Sequence, residues 1–177
     1  MIGLGAIKIG TQDDHAFAFV PASAITLSPY MFESAQVDAV RDFVPVALVA
    51  EGPMMMAVSA MWPANSLADV IAVAKKNPDT FVVILPLLYS VPHLAGEVLT
   101  RTAGVPIRAV PNSNRGAAIA EVMNNDSQVI IDGIPPTDPM VQGGKLKAIA
   151  VFSDGRLPNR PQLATVAETY PGLVING

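Results

Sequence analysis

Three side chains in this sequence could be written as a hydrolase triad: Ser90 as nucleophile, His93 as its base and Asp132 as the orienting carboxylate. A serine nucleophile needs a base within hydrogen-bond reach, and the base needs a third group to hold it in the right tautomer. Ser90 does not sit in a G-x-S-x-G elbow, because its context is Leu88-Tyr89-Ser90-Val91-Pro92. His93-Leu94-Ala95-Gly96-Glu97 is not a zinc motif either, since the glutamate is misplaced and no second histidine follows. Ser90 precedes a predicted helix and serves equally well as an ordinary helix cap. His93 falls in the first turn of that helix, a place for packing or capping, and His15, beside Asp13-Asp14, reads as a surface turn residue. Asp132 ends an apolar strand. A carboxylate there faces the crevice where open α/β sheets hold ligands, or caps the helix that starts near Pro135. Met54-Met55-Met56 reads as strand and core filler rather than a metal-binding set.

The elements that must position these groups come from a chain of 177 residues, 51% apolar and 15% charged, with a net charge of −4 and no cysteine. That length suits one domain or two small lobes and allows roughly two-thirds of the unfolded surface to be buried. The composition excludes disorder. The absence of a basic patch argues against nucleic acid, and the absence of cysteine removes disulfide, thiolate and Cys-type metal chemistry. No apolar run reaches the ~18–20 residues that span a bilayer. Residues 1–10 do not read as an export signal, which taken alone would leave the chain in the cytoplasm.

Strands alternate with helices along the sequence. Strands are predicted at 17–20, 43–50, 54–60, 81–85, 106–110, 128–132 and 147–152. A helical turn is predicted at 29–32. Helices are predicted at 66–76 with Ser66 as cap, 91–102, 116–123, 135–142 and 165–169. Residues 81–85 are wholly apolar, as suits a strand covered on both faces. Such alternation implies right-handed crossovers and an α/β fold with a mostly parallel twisted sheet.

Eight stretches, taken in order, carry a resemblance. They are Ser28-Pro29-Tyr30-Met31-Phe32, residues 38–46, residues 66–78, Pro92-His93-Leu94-Ala95-Gly96-Glu97, Gly104-Val105-Pro106, Val110-Pro111, residues 143–151, and residues 161–168 with Pro171-Gly172. From about Gly10 onward the sequence resembles the solute receptors of tripartite tricarboxylate transporters, the Bug or TctC-like family. The resemblance implies a periplasmic-binding-protein-like fold: a partial first lobe in residues 1–55 and a ligand-binding lobe in residues 56–177. It implies a periplasmic receptor for a small carboxylate, working with membrane permease subunits, without enzymatic activity, cofactor or metal. It also places the family's opening strand with its ligand loop, and the segment that returns after Gly172, outside this sequence. An incomplete lobe exposes strand edges and apolar surface, so a homo-oligomer is expected.

Ligand contacts are expected at Ser23, Tyr89, Ser90, Asn112 and Asp132, at the carboxyl ends of the strands where open α/β sheets hold their ligands. Ser23 matches a ligand-contacting loop, although a simple turn serine fits it too. The family's glycine- and serine-rich turn ahead of the helix reads Leu85-Pro86-Leu87-Leu88-Tyr89-Ser90 here. Its apolar wall favours an aromatic or aliphatic acid over a citrate-like one. Ser90 and the helix end remain as donors to an anion. The turn after Pro111 reads Asn112-Ser113-Asn114-Arg115-Gly116, where the amides suit a polar ligand and Arg115 attracts a carboxylate. Two other readings stay open: a structural, oligomeric remnant, and a hydrolase recruited from the binding scaffold.

Overall fold

The computed structural model describes residues 2–10, 15–31, 37–78, 80–105 and 108–177. Two compact units divide the chain, Met1–Glu51 and Gly52–Gly177.

The larger unit is built on a five-stranded sheet in the order β3-β2-β4-β1-β5. Its strands are β1 (Met54–Ser59), β2 (Val82–Pro86), β3 (Arg108–Asn112), β4 (Val129–Gly133) and β5 (Leu146–Val151). β2 pairs in parallel with β3 and with β4, while β1 lies antiparallel to both β4 and β5. Four strands therefore share one direction and β1 alone is reversed.

Side chains alternate across the sheet, and both faces are covered. Met54, Met56, Val58, Val83, Leu85, Val129 and Ile131 pack with Leu67, Val70, Ile71, Ala95 and Leu99. Those partners come from α5 (Leu67–Lys76) and α6 (Val91–Ala103). Ala57, Ile84 and Ile130 face Ala118 and Val122 of α7 (Arg115–Met123). Met55 and Val151 join Leu163, with Ile134 and Val141 of α8 (Ile134–Gln142) packed against them. Cover on both sides explains why β1 reads as five apolar residues followed by Ser59, with all six buried.

Local chemistry sets the helix ends. Ser66 Oγ accepts from Asp69 N at 3.1 Å to open α5. Gly104, in the left-handed conformation at φ 61°, closes α6. Inside α6, a Cβ on Gly96 would stand 2.8 Å from the Leu85 methyls, so glycine lets this helix lie close on β2. The last residues return to β1: Gly52 and Gly177 exchange backbone hydrogen bonds of 3.1 and 2.9 Å. A 3-10 turn, Val166–Glu168, is fixed by a capping box between Thr165 and Glu168.

The smaller unit is helical where it is regular: α1 (Ile2–Gly10), α2 (Ala22–Thr26), α3 (Ser28–Met31) and α4 (Ala39–Asp42). Lys8 of α1 reaches Asp42 of α4 at 2.6 Å. The strands expected at 17–20 and 43–50 do not form. Both segments join no ladder among the described residues, and Phe19 (82%) and Leu48 (78%) lie exposed. Apolar, β-branched composition favours a strand only where a neighbour supplies hydrogen-bond partners and a face to pack on. Elsewhere the expected elements form with ends shifted by a residue or two. Asp13, Asp14, Phe32, Pro106 and Ile107, which belong to expected turns and elements, lie outside the described residues.

Candidate functional site

The sheet order sets the carboxyl ends of β3, β2 and β4 side by side, and each strand runs into a helix. β3 leads to α7, β2 to α6 and β4 to α8. Three helix N-termini, with their partial positive charge, thus collect along one edge. Asn112 ends β3 opposite Pro86, the last residue of β2, and Asp132 stands next to last in β4. Four of the five sequence-derived residues, Tyr89, Ser90, Asn112 and Asp132, belong to this edge. Ser23 is a buried residue of α2 in the smaller unit.

Between β2 and α6, Leu87 and Tyr89 both adopt left-handed backbone, each at φ 62°. A side chain in that region costs roughly 1–2 kcal/mol, and such strain persists where the surroundings over-determine it. Leu87 N donates to Asn112 O at 3.1 Å, tying this turn to the end of β3. Ser90 Oγ donates to Pro86 O at 2.8 Å and accepts from His93 N at 3.4 Å, so the serine is the cap of α6. The Tyr89 and His93 rings meet edge to face with centroids 6.0 Å apart. Leu87 and Leu88 are half exposed beside them.

Asn112 is hydrogen-bonded at both ends of its amide. Its Oδ1 accepts from Asn114 N at 2.9 Å, and its Nδ2 donates to Glu121 Oε1 at 3.0 Å. The Glu121 side chain also takes Ser127 Oγ, at 3.3 Å. Asn114 Oδ1 accepts from Ala117 N at 3.1 Å and caps α7. The polar run after β3 is therefore a built turn that aims Arg115 from the first position of α7.

Asp132 is almost wholly buried, with 1% of its surface exposed. Its Oδ1 accepts from Gly133 N at 2.8 Å. Its Oδ2 lies 2.8 Å from Arg115 Nε. This close ion pair is sealed from solvent at Oδ2. Burial pushes the Asp132 carboxyl above the usual carboxylate value, against the Gly133 N–H and the Arg115 charge, which both act to lower it.

This arrangement does not make a hydrolase. Ser90 Oγ is held by the Pro86 carbonyl and the His93 backbone, His93 Nε2 lies 4.0 Å from Glu97, and Asp132 is held by Gly133 and Arg115. Nor do the described residues hold a group of three or more His, Cys, Asp or Glu placed to bind a metal. Sequence reasoning named Arg115 but not its link to Asp132. One signal was available: a cation at the first position of a helix opposes the helix dipole and calls for a reason. In the smaller unit, a hollow of about 290 Å³ is lined by Gly3, Leu4, Ile7, Phe17, Phe19 and Val20, without a converging set of polar side chains.

The family description "Tripartite tricarboxylate transporter family receptor" matches residues 1–176. The chain belongs to this receptor family. Among curated relatives of the receptor, Protein BugT of Bordetella pertussis is 26% identical over 176 residues, covering 98% of this chain and 54% of the relative. A UPF0065 protein of Bordetella bronchiseptica is 25% identical over 172 residues, covering 97% and 51%. An R. palustris protein solved with adipate superposes with a TM-score of 0.77 at 28% identity, over 82% of this chain and 49% of the other. MatC from Rhodopseudomonas palustris, with bound malate, gives 0.73 at 25% identity, over 82% and 50%. The chain spans about half the length of the curated relatives it matches. The family and its solved neighbours are solute-binding proteins rather than enzymes. Among the described residues, no helix is long and apolar enough to cross a membrane.

Proposed function

We propose that this receptor-family chain captures a small aliphatic or aromatic carboxylic acid and presents it to the membrane permease subunits of a tripartite tricarboxylate transporter in the periplasm. The contacts come from Tyr89, Ser90, Asn112 and Asp132 at the carboxyl edge of β2, β3 and β4. The observation that carries this reading is the turn of residues 87–90. It holds two non-glycine residues in left-handed backbone at the head of α6. Strain of this kind collects where a binding site dictates the backbone, and the turn opens onto the positive end of a helix. Relatives solved with adipate and malate are consistent with a carboxylate ligand.

The test is a thermal-shift and calorimetry panel of mono-, di- and aromatic carboxylates against neutral analogues of the same carbon skeleton. Saturable binding of an acid but not its amide is expected, with a Kd in the millimolar to high-micromolar range, about 4–5.5 kcal/mol. Ser90→Ala should weaken that binding and lower stability by about 1 kcal/mol through loss of the cap. Equal binding of acid and amide would overturn the reading.

A second reading, in which the fold serves self-association, draws on the smaller unit. Phe17, Phe19, Val44, Val46 and Leu48 are all exposed there. Apolar surface of that extent marks an interface more often than bare solvent contact. Light scattering at micromolar concentration tests it: a homo-oligomer is expected, and a clean monomer removes this reading.

A further inference from the structure

We infer that Arg115 receives the second carboxylate of a dicarboxylic acid, and that the buried Asp132 is the residue that positions it. This inference rests on the carboxylate-receptor reading and adds to it the residue that separates diacids from monoacids.

Two arginine–carboxylate pairs in the larger unit are built differently. Arg156 grips Glu168 fork on fork, with Nε to Oε1 and Nη2 to Oε2 both at 2.7 Å, and its Nη1 donates to Pro161 O at 2.9 Å. That is how a guanidinium is used when its task is to hold a fold together. Arg115 is used differently. It meets Asp132 through Nε alone, at 2.8 Å. Its side chain is 48% exposed against 2% for Asp132. The outer nitrogens of Arg115, a planar fork that matches a carboxylate, are left uncommitted.

The cost of the arrangement points the same way. A buried carboxylate is costly to keep charged, and a cation at the first position of α7 opposes that helix's dipole. Neither is needed to cap α7, because Asn114 already does so. What the pair achieves is a half-exposed cation anchored on a buried carboxylate at the edge where three helix N-termini collect. A ligand with one carboxylate at the head of α6 and another on the Arg115 fork would use both features. A monoacid would use only the first.

The experiment compares adipate with hexanoate, which share a six-carbon chain and differ by one carboxylate, using calorimetry on the intact chain. Wild type should bind adipate about tenfold or more tighter than hexanoate. Arg115→Gln should collapse that ratio toward one. Arg115→Lys, which keeps the charge but not the fork, should retain part of it and guards against a folding defect in the glutamine variant. Asp132→Asn should reduce the ratio as well, by releasing Arg115 from its place, a change that a merely structural role for Asp132 would not produce. If the ratio in Arg115→Gln and Arg115→Lys equals the wild-type ratio, the inference is wrong. A wild type that binds both acids equally overturns the inference alone, whereas one that binds neither overturns the receptor reading with it.

Discussion

Residues 43–50 and 54–59 lie a few positions apart and are both rich in apolar, strand-favouring side chains, yet they end in opposite states. Met54–Ser59 becomes a strand with every residue buried between β4 and β5. Residues 43–50 join no strand among the described residues and leave Val44, Val46, Leu48 and Val49 in solvent. The difference is not in composition. It lies in whether two neighbouring strands and two helical layers are on hand to receive the segment. β-propensity measures fit to a half-buried, already paired surface, and without that surface it decides little.

The sharpest break of this comparison is a matched pair of truncations. Met56→Ala should cost about 2–5 kcal/mol in urea unfolding, because the methionine is wholly enclosed and the site cannot collapse around the loss. At the other end of the scale, Leu48→Ala should stay within about 0.5 kcal/mol, as an exposed change away from caps and cores does. A loss at position 48 approaching that at 56 would mean the exposed segment is packed against something in solution.

Between these extremes, Leu87→Gly isolates the strain carried by the packed unit. Removing the side chain from left-handed backbone should raise stability by about 1 kcal/mol. A destabilisation would show that packing of Leu87, rather than strain, dominates the turn.

The smallest effect compares one ion pair from each unit. The Lys8 ammonium, with the Asp38 N–H, holds the Asp42 carboxyl down to about 2 from 3.8. Arg156, with the Thr165 N–H, holds Glu168 down to about 2 from 4.5. A carboxyl with a lowered folded-state pKa contributes stability that is present above its ordinary value and lost as pH falls toward the folded value. Both contributions should therefore fade between pH about 4.5 and 2. Titration followed by NMR should give both midpoints near 2. An Asp42 midpoint at 3.8 would show that α1 and α4 are not joined in solution.

Within residues 52–177 the fold was legible because local signals agreed with the global answer. Ser66 capped its helix, Gly104 closed one, and the wholly apolar run 81–85 announced a strand covered on both faces. In residues 1–51 the local signal was strand-like and the partners were missing, so the inference failed where it relied on propensity alone. The candidate site was legible in part. Asp132 and Asn112 were expected at or just after strand ends, and they stand near the ends of β4 and β3. The Arg115–Asp132 contact was not, because it joins the head of α7, which follows β3, to β4, and only the order β3-β2-β4 brings those ends together. The left-handed turn at Leu87 and Tyr89 was hidden too, since nothing in two bulky residues announces a backbone that glycine usually adopts.

The reversed strand β1 also bears on how the chain is made. It leaves the ribosome before either neighbour exists, because β4 and β5 follow only after residues 60–128 have been added. At about 5–20 residues per second, that interval is on the order of 4–14 seconds. No hairpin can shelter Met54–Ser59 meanwhile, and closing so long a loop slows its pairing further. A methionine-rich strand waiting unpaired is an aggregation hazard during synthesis. Productive folding is thus timed by the arrival of residues 129–151, whereas the danger in the wait is set by residues 54–59, and mutations can alter the two separately.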